Sequence, residues 1–300
     1  METSSNKKEK TSTEFPKFDL HVHTTASDGS LNAKQIVEEA KRIGLTTIAI
    51  TDHDTIGNLK ECMAEGKNAG IRIIPGVELS AEISTGKIHI LGFGIDPDNS
   101  EFNIVMKMLR DAREVRNKNI IEALKQLYNM EIQLSDVRKF AKGETIGKPH
   151  IAAALVEKGY YTDIETVFKK VLSKSKLNSI KRKKLPPQSC IELIKRAGGI
   201  AFLAHPNSLK LSHDDTFAKI KELKRYGLDG VEAYHSSHTP KQCETYSKMA
   251  KSLDLMISCG SDFHGPEVKK DVKLGLGINA NLPTDDESII APILKTLKME

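Results

Sequence analysis

Apolar residues along the chain fall into seven short runs that predict strands, and stretches with helical periodicity separate them. The first run has apolar side chains at every second position, Phe18, Leu20 and Val22, which is typical of a half-buried strand that ends before a turn at Gly29. The predicted strands cover 18–22, 46–50, 71–80, 87–94, 199–206, 227–235 and 255–265. Short strands that alternate with helices favour a parallel sheet, which is predicted here to close as a barrel.

Capping signals mark where several helices between these strands should begin. A polar residue followed three positions later by Glu or Gln predicts a reciprocal cap at a helix start. This pattern occurs at Asn32 with Gln35, Ser189 with Glu192, and Thr239 with Gln242. Two further helices are expected at about 59–69 and 217–226, each followed by a glycine.

Residues 100–185 are predicted to be almost wholly helical, with lysine and arginine throughout. They contain a long amphipathic helix at 104–127, a shorter helix at 147–159 and a basic connector at 173–187 that ends in two prolines. We therefore expect a helical insertion at 100–185 after the fourth strand. The α/β barrel would comprise 18–99 and 186–300, and residues 1–17 are expected to form a disordered lead.

Composition limits the classes of protein that fit. The 300 residues suffice for a full core, and a net charge of +5 suits an anionic substrate without requiring a nucleic-acid duplex. No apolar run approaches the length of a membrane span, and residues 1–17 have no apolar segment typical of a secretory signal. The four cysteines are scattered without a CxxC pattern, which is typical of reduced thiols in a cytoplasmic protein.

Potential metal ligands follow the predicted strands with unusual regularity. His21 and His23 share one face of the first strand, although two histidines on a half-buried strand are by themselves a weak signal. Six of the ten histidines and three carboxylates lie in or just after strands: His21, His23, Asp28, His53, Glu78, His89, His205, Asp262 and His264. Strand ends of a βα barrel meet at one rim, so we expect these nine side chains to converge. Nitrogen and oxygen ligands without thiolate suit Mn²⁺, Fe²⁺ or Zn²⁺ and disfavour a structural zinc site.

Six motifs resemble, in order, those of the PHP family, named for polymerase and histidinol phosphatase. They are HVHTTASDG, ITDHD, PGVELS, the isolated His89, LAHP and GSDFHG, and they span 18–94 and 199–265. The resemblance implies a distorted (βα)7 barrel with a trinuclear metal centre that hydrolyses phosphate esters. With a helical insertion after its fourth strand, the chain most resembles one branch of this family. Members of that branch remove the 3′-phosphate from nucleoside 3′,5′-bisphosphates, and some of them trim short RNA from its 5′ end.

The resemblance also implies a grouping of the ligands and a mechanism. One ion would take His21, His23, Glu78 and Asp262; a second would share Glu78 and add His89 and His205; a third would take Asp28, His53 and His264. The family favours Mn²⁺ for all three ions, and a metal-activated hydroxide would attack phosphorus in line. The nearby carboxylates Asp52, Asp54 and Asp229 are expected to support the ligands or to cap chain ends.

Substrate contacts are expected from the insertion and from loops just beyond the strands. The branch often has Arg-Pro-His where this chain has Lys148-Pro149-His150, and lysine keeps the charge but loses the planar fork of arginine. Arg110, Arg113 and Arg116 lie three apart on the long helix and are predicted to face either substrate phosphate or water. Asn207, His235 and His238 could touch substrate or protonate the leaving group, whereas His213 is expected at the surface.

Two alternatives to a phosphoesterase acting on nucleotides or short RNA follow from the same sequence. The first is a histidinol-phosphate phosphatase with the same metal centre, which the insertion and the segment AYHSSHTP disfavour. The second is a non-enzymatic metal-binding or polymerase-associated module, which is disfavoured because all nine ligand positions are filled. No membrane or duplex-DNA partner is expected.

Overall fold

The computed structural model describes residues 17–141, 143–283 and 286–299. Within them, seven strands form one sheet in sequence order, and helices cover it, which confirms a distorted (βα)7 barrel. The strands are β1 (Phe18–Val22), β2 (Thr47–Ile50), β3 (Arg72–Ala81), β4 (Ile88–Phe93), β5 (Ile200–Leu203), β6 (Gly230–His235) and β7 (Met256–Gly260). Apart from Lys17, the lead predicted for residues 1–17 lies outside the described residues.

The direction of β4 corrects the prediction of an all-parallel sheet. β4 is antiparallel to both β3 and β5, whereas the other paired strands are parallel. The connection from β3 to β4 is too short for a crossover helix, so the two strands form a hairpin. His89 consequently lies near the start of β4 rather than at its end, yet at the rim where the parallel strands terminate.

Backbone hydrogen bonds beyond β7 close the barrel against β1. Phe263 N–H donates to the carbonyl of His21 at 3.3 Å, and His23 N–H donates to the carbonyl of Phe263 at 2.9 Å. The two segments that carry metal-ligand candidates from opposite ends of the chain are therefore joined directly. This closure places His23 and the residues after Phe263 on the same part of the rim.

The described helices are α1 (Ala33–Arg42), α2 (Leu59–Ala69), α3 (Ser100–Tyr128), α4 (Leu134–Arg138), α5 (Lys148–Glu157), α6 (Ile164–Val167), α7 (Ser175–Asn178), α8 (Pro187–Arg196), α9 (His213–Arg225), α10 (Pro240–Ser252) and α11 (Glu287–Leu297), with a π-helical turn at Phe168–Leu172 and a 3₁₀ turn at Pro206–Leu209. None of them is both long enough and apolar enough to cross a membrane. The cytoplasmic location stays a prediction.

Two of the three predicted capping boxes are confirmed. The Asn32 side chain accepts from Gln35 N–H at the start of α1, and Thr239 accepts from Gln242 N–H at the start of α10. The box at Ser189 is wrong, because α8 begins two residues earlier at Pro187, whose fixed φ suits a first helical turn. Helix α9 also begins before the predicted residue, because Ser212 caps it by accepting from Asp215 N–H.

Three apolar clusters stabilise the described chain. The largest lies between the strands and the helices around them, and a second joins strand residues such as Leu20 and Phe202 to α11. The third lies entirely within 120–177 and includes Leu124 of α3 and Leu155 of α5. The helical segment thus has an apolar cluster of its own, which supports the proposed insertion at 100–185.

Candidate metal centre

The carboxylate of Glu78 lies at the centre of the predicted ligand cluster. Its side chain is 1% exposed, and five histidines from four segments of the chain surround it. The nitrogen–oxygen distances are 2.6 Å for His89 Nδ1, 2.8 Å for His205 Nε2, 2.9 Å for His53 Nδ1, 3.3 Å for His23 Nε2 and 3.4 Å for His21 Nε2. The antiparallel course of β4 is what brings His89 to this carboxylate.

Asp262 and Asp28 complete the rim beside Glu78. Asp262 Oδ1 lies 3.2 Å from His23 Nε2 and 3.5 Å from His21 Nε2. His264 lies between the two aspartates, with Nδ1 3.4 Å from Asp262 Oδ1 and Nε2 3.4 Å from Asp28 Oδ1. All nine predicted ligands are therefore brought together in one continuous cluster.

The possible coordination groups overlap the predicted ones but are not identical to them. Ligand atoms within 4.8 Å of one another form the groups His21, His23, Glu78 and Asp262; His23, Asp28, His53 and His264; His53, Glu78 and His89; and His21, Glu232 and His235. The first group is identical to the one predicted for the first ion. The second contains the three residues predicted for the third ion together with His23. His205 contacts Glu78 directly, and the group that contains Glu232 is new.

The buried atoms of this cluster fit divalent cations. His21 Nε2, His23 Nε2, Asp28 Oδ1, His53 Nδ1 and Glu78 Oε2 are buried and have no hydrogen-bond partner. Buried polar atoms without partners are costly, so five of them facing one another fit a set of metal ligands. Imidazole nitrogens with carboxylate oxygens are donors that Mn²⁺, Fe²⁺ and Zn²⁺ accept.

Electrostatics at the rim also favours cations. Burial alone would raise the pKa of Glu78, but His53, His89 and His21 hold that pKa well below its usual range. The pKa of His23 rises to about 9 against the effect of burial, because Asp262 and Glu78 lie beside it. Burial lowers the pKa of His264 to about 4. Ionised carboxylates thus dominate the cluster, and their negative charge favours a bound cation.

Glu232 supports the cluster and was missed by the sequence analysis. Its carboxylate accepts from His21 Nδ1 at 2.8 Å and from the backbone N–H of His205 at 2.7 Å. The side chain is fully buried in β6 between apolar neighbours. A carboxylate between two apolar residues in the middle of a predicted strand is the sequence signal that could have identified it.

The three supporting carboxylates have different surroundings. Asp52 accepts from Thr24 N–H at 2.8 Å and from Ser27 Oγ at 2.5 Å, and so fixes the loop that leads to Asp28. Asp54, next to His53, accepts from two arginines of the helical segment. Asp229 lies away from the cluster, before the start of β6, where it accepts from Ala201 N–H at 2.7 Å and pairs with Lys195.

Three residues of the site have backbone conformations that non-glycine residues seldom adopt. Asp54, His205 and Asp262 have φ angles of 52°, 27° and 57°. Left-handed conformations at such residues cost free energy and persist where surrounding contacts hold them. Here each of the three side chains is held by several partners around the cluster.

A cavity of about 440 Å³ opens onto the cluster, and two of the predicted substrate residues, Asn207 and His235, line it. His235 Nε2 lies 3.4 Å from Asp262 Oδ2. Lys87 and Lys269 also line the cavity, and Lys269 Nζ pairs with Asp262 Oδ2 at 2.5 Å. His238 instead donates to the carbonyl of Ala233 and lines a separate cavity against α10.

The predicted contacts from the helical segment lie outside the lining of that cavity. Arg110 pairs with Glu144 at 3.3 Å, and Arg113 is buried against Asp54. Lys148, at the start of α5, donates to the carbonyl of Leu172 and to Asn178 Oδ1, both at 3.3 Å. His150 Nδ1 accepts from Gly147 N–H at 3.1 Å and caps the same helix. A role in substrate binding stays a prediction for all four residues.

Comparisons with known proteins agree with this geometry. A 5′-3′ exoribonuclease of Haemophilus influenzae is 33% identical over 83% of this chain and 90% of its own length. A 3′,5′-nucleoside bisphosphate phosphatase of Chromobacterium violaceum is 30% identical over 83% of this chain and 87% of its own length. The solved structure of a predicted metal-dependent phosphoesterase from Bifidobacterium adolescentis superposes with a TM-score of 0.81 at 32% identity, covering 93% of this chain and 96% of the other.

The PHP domain profile matches residues 19–222, which include seven of the nine clustered ligands. Asp262 and His264 lie beyond the matched range, but their distances to His21, His23 and Asp28 place them in the same centre. Together with the phosphoesterase relatives, this arrangement identifies the protein as a hydrolase. The chain belongs to the PHP domain family of metal-dependent phosphoesterases.

Proposed function

We propose that this protein removes the 3′-phosphate from nucleoside 3′,5′-bisphosphates and also trims short RNA from its 5′ end. The observation that carries the proposal is the cluster of unpartnered ligand atoms around Glu78, which opens onto a cavity beside a basic helical segment. The names of the Haemophilus influenzae and Chromobacterium violaceum relatives support both substrates. The two substrates share a phosphate ester next to a second phosphate.

We propose that the centre holds three divalent ions, with Mn²⁺ as the native metal. His21, His23, Glu78 and Asp262 would hold one ion, and Asp28, His53 and His264 would hold another. Glu78, His89 and His205 would hold the third, with the Glu78 carboxylate shared between two ions. Bound cations would supply a nucleophile near neutral pH and neutralise the phosphate oxygens.

The chain's own residues would orient the reacting groups. Glu232 accepts the Nδ1 proton of His21 and so directs Nε2 toward the cluster. His235 lines the cavity with Nε2 unpartnered, so it can donate a proton to the leaving oxygen. Asn207 donates to the carbonyl of Ser237 and lies on the same wall, where its amide can contact the ribose or the base.

A substrate comparison tests the proposal. Purified protein with Mn²⁺ is given a nucleoside 3′,5′-bisphosphate, a short 5′-phosphorylated RNA and histidinol phosphate, and released phosphate and nucleotides are measured. We expect turnover of the first two and much slower release from histidinol phosphate. Preferential hydrolysis of histidinol phosphate would overturn the proposed substrate class, and no hydrolysis of any phosphate ester would overturn the mechanism.

A further inference from the structure

A second cavity, of about 550 Å³, lies next to the cavity that opens onto the metal centre. His235 lines the metal-site cavity, His238 lines the second cavity, and the centres of their rings are 5.3 Å apart. The nine clustered ligands, all within the described ranges, are not among the residues that line the second cavity. A molecule bound there would therefore lie beside the metal centre without contacting its ligands.

The walls of the second cavity come from three segments, which are the end of β6, helix α10 and the loop 280–283. Tyr234 supplies an aromatic ring, and Pro240, Leu282 and Pro283 supply aliphatic surface. Sites for small molecules combine such apolar surface with a few polar groups that fix the orientation of the ligand. An aromatic side chain in such a wall offers a flat face on which a planar ring can stack.

The loop that forms one of these walls is held in place by the chain itself. Asn281 Nδ2 donates to the carbonyl of Ser236 at 2.9 Å, and Asn281 Oδ1 accepts from Ile278 N–H at 3.0 Å. Asn279 and Ala280 have φ angles of 52° and 55°, which non-glycine residues seldom adopt. Such conformations cost free energy and are concentrated at functional sites, where surrounding contacts hold them. The cavity is therefore formed before any ligand enters it.

The Nε2 atom of His238 is a buried hydrogen-bond acceptor in the second cavity. His238 is 4% exposed, and its Nδ1 donates to the carbonyl of Ala233 at 2.9 Å. Burial lowers the pKa of this imidazole to about 4, so the ring is neutral near neutral pH and Nε2 carries a lone pair. Among the described residues, no group donates to that nitrogen. A ligand that satisfied it would have to offer an N–H or an O–H.

The hydroxyl of Ser247 is a second buried polar group of this cavity. Ser247 is 7% exposed and lines the cavity from α10. A helical serine can donate to the carbonyl four residues before it, yet Ser247 Oγ has no partner in the described part of the chain. Buried polar groups without partners cost free energy, and a ligand with one donor and one acceptor would satisfy both His238 and Ser247.

We infer that the second cavity binds a nucleobase, with His238 Nε2 accepting from an N–H of the base and Ser247 Oγ donating to the acceptor beside it. Each nucleobase is flat and presents an N–H next to a ring nitrogen or a carbonyl on its pairing edge. Tyr234 can stack on such a ring, and the exposed Lys251, which also lines the cavity, can contact a phosphate attached to it.

Two sources could supply this base. One is a free nucleotide that binds independently of the substrate. The other rests on the proposed function and is the RNA nucleotide beyond the phosphate held at the metal centre. The contact between the rings of His235 and His238 places both sources next to the reaction.

Binding of free nucleosides to the full chain in chelator tests the site without metals or phosphate. Adenosine, cytidine, guanosine and uridine are titrated, and their dissociation constants are measured by saturation-transfer NMR for wild type and three variants. Ser247→Ala removes the hydroxyl, and His238→Asn removes Nε2 but keeps an amide that can donate to Ala233. Ser252→Ala is the matched control, because Ser252 is exposed on the same helix and donates to the carbonyl of Met249.

We expect at least one nucleoside to bind wild type and Ser252→Ala equally, and to bind Ser247→Ala and His238→Asn about tenfold more weakly. Undiminished affinity in Ser247→Ala would overturn the inference, even if His238→Asn failed to fold. Failure of all four nucleosides to bind wild type would overturn it as well.

Thermal unfolding separates a binding role of Ser247 from a structural one. Ser247→Ala removes a buried hydroxyl that makes no hydrogen bond to a described residue, so the variant without ligand should be at least as stable as wild type. Weaker nucleoside binding together with an undiminished melting temperature is the expected result. Loss of both stability and binding would place Ser247 in the fold and overturn its assignment to the site.

The metal-loaded enzyme distinguishes the two sources of the base. If the base belongs to RNA, Ser247→Ala should raise KM for a short RNA about tenfold more than KM for a nucleoside bisphosphate. If the base belongs to a free nucleotide, the two KM values should change equally, and added nucleoside should alter turnover by wild type more than by Ser247→Ala. If RNA proves not to be a substrate while nucleosides still bind through Ser247, that part of the proposed function fails and the base site stands.

Discussion

Glu232 accepts a hydrogen bond from Nδ1 of His21 at 2.8 Å, and this contact determines which imidazole nitrogen faces the metal centre. Because Nδ1 carries the donated proton, Nε2 is the nitrogen that points at Glu78 and Asp262, 3.4 Å and 3.5 Å away. The other oxygen of Glu232 accepts from His205 N–H, in a segment with a left-handed φ. One buried carboxylate thus orients two ligand segments.

Glu232→Gln should weaken metal binding while leaving the barrel folded. Glutamine keeps the shape but loses the negative charge that favours the His21 tautomer, and removal of such supporting groups typically costs about 10–100-fold in metal affinity. Titration with Mn²⁺ by calorimetry measures the effect. Glu244→Gln is the control, because Glu244 is exposed on α10 and pairs with Lys248. Equal affinities in the two variants would show that Glu232 does not orient His21.

Removal of metal should abolish activity and lower thermal stability. Ions that bind the folded chain stabilise it by mass action, and the buried ligand atoms without partners predict a large effect here. Elemental analysis of metal-replete protein should find more than one transition-metal ion per chain. Full activity in strong chelator would contradict a metal-dependent mechanism for this protein.

Glu78→Gln should weaken binding of both ions that are proposed to share its carboxylate. All five histidines around Glu78 remain in the variant, but the bridging negative charge is lost. We expect at least about a hundredfold loss of kcat, because a direct ligand should matter no less than a supporting residue. Circular dichroism should stay close to wild type, since the change lies at the rim of the barrel. Wild-type turnover would mean that the ligand grouping is wrong.

The sequence predicted which side chains converge at the rim better than it predicted the groups that hold them. His21, His23 and Glu78 lie in strand motifs whose spacing is visible in the chain, so their convergence followed from the βα pattern. The reversed direction of β4 was missed, because apolar periodicity does not report strand orientation. Arg182 lies in the predicted basic connector, and nothing in its sequence surroundings indicates that its side chain reaches the buried Asp54, 128 residues away in sequence. Such long-range pairs depend on tertiary packing that residue patterns do not encode.

Bisphosphate binding should weaken as the pH rises through about 8. Burial, followed by the charge of Arg116, lowers the pKa of Lys148 to about 8, so this lysine is charged below that pH and loses its charge above it. KM for the bisphosphate should therefore rise above pH 8, whereas kcat should change less because bound phosphate favours the charged lysine. Lys148→Arg should remove this dependence, since arginine stays charged. A rise in KM that persists unchanged in Lys148→Arg would assign the effect to another group.

Lys148→Ala should separate recognition of the second phosphate from hydrolysis itself. Lys148 lies at the N-terminus of α5, where the helix dipole also favours an anion. Among the described residues its ammonium contacts only neutral oxygens, so a phosphate can replace them as the stronger partner. Loss of one charge-assisted contact costs about 1.5–3 kcal/mol, which predicts a decrease of roughly one to two orders of magnitude in kcat/KM for the bisphosphate.

An aryl phosphate lacks the second phosphate, so Lys148→Ala should hydrolyse it almost as well as wild type. Lys158→Ala is the matched control, because Lys158 follows the other end of α5 and pairs with Asp136. This control should leave kcat/KM unchanged for both substrates. Equal losses on the bisphosphate and the aryl phosphate in Lys148→Ala would instead assign Lys148 to the metal centre or to the fold. Selectivity would then have to arise from groups that line the cavity, such as Lys87 or Lys269, rather than from the helical segment.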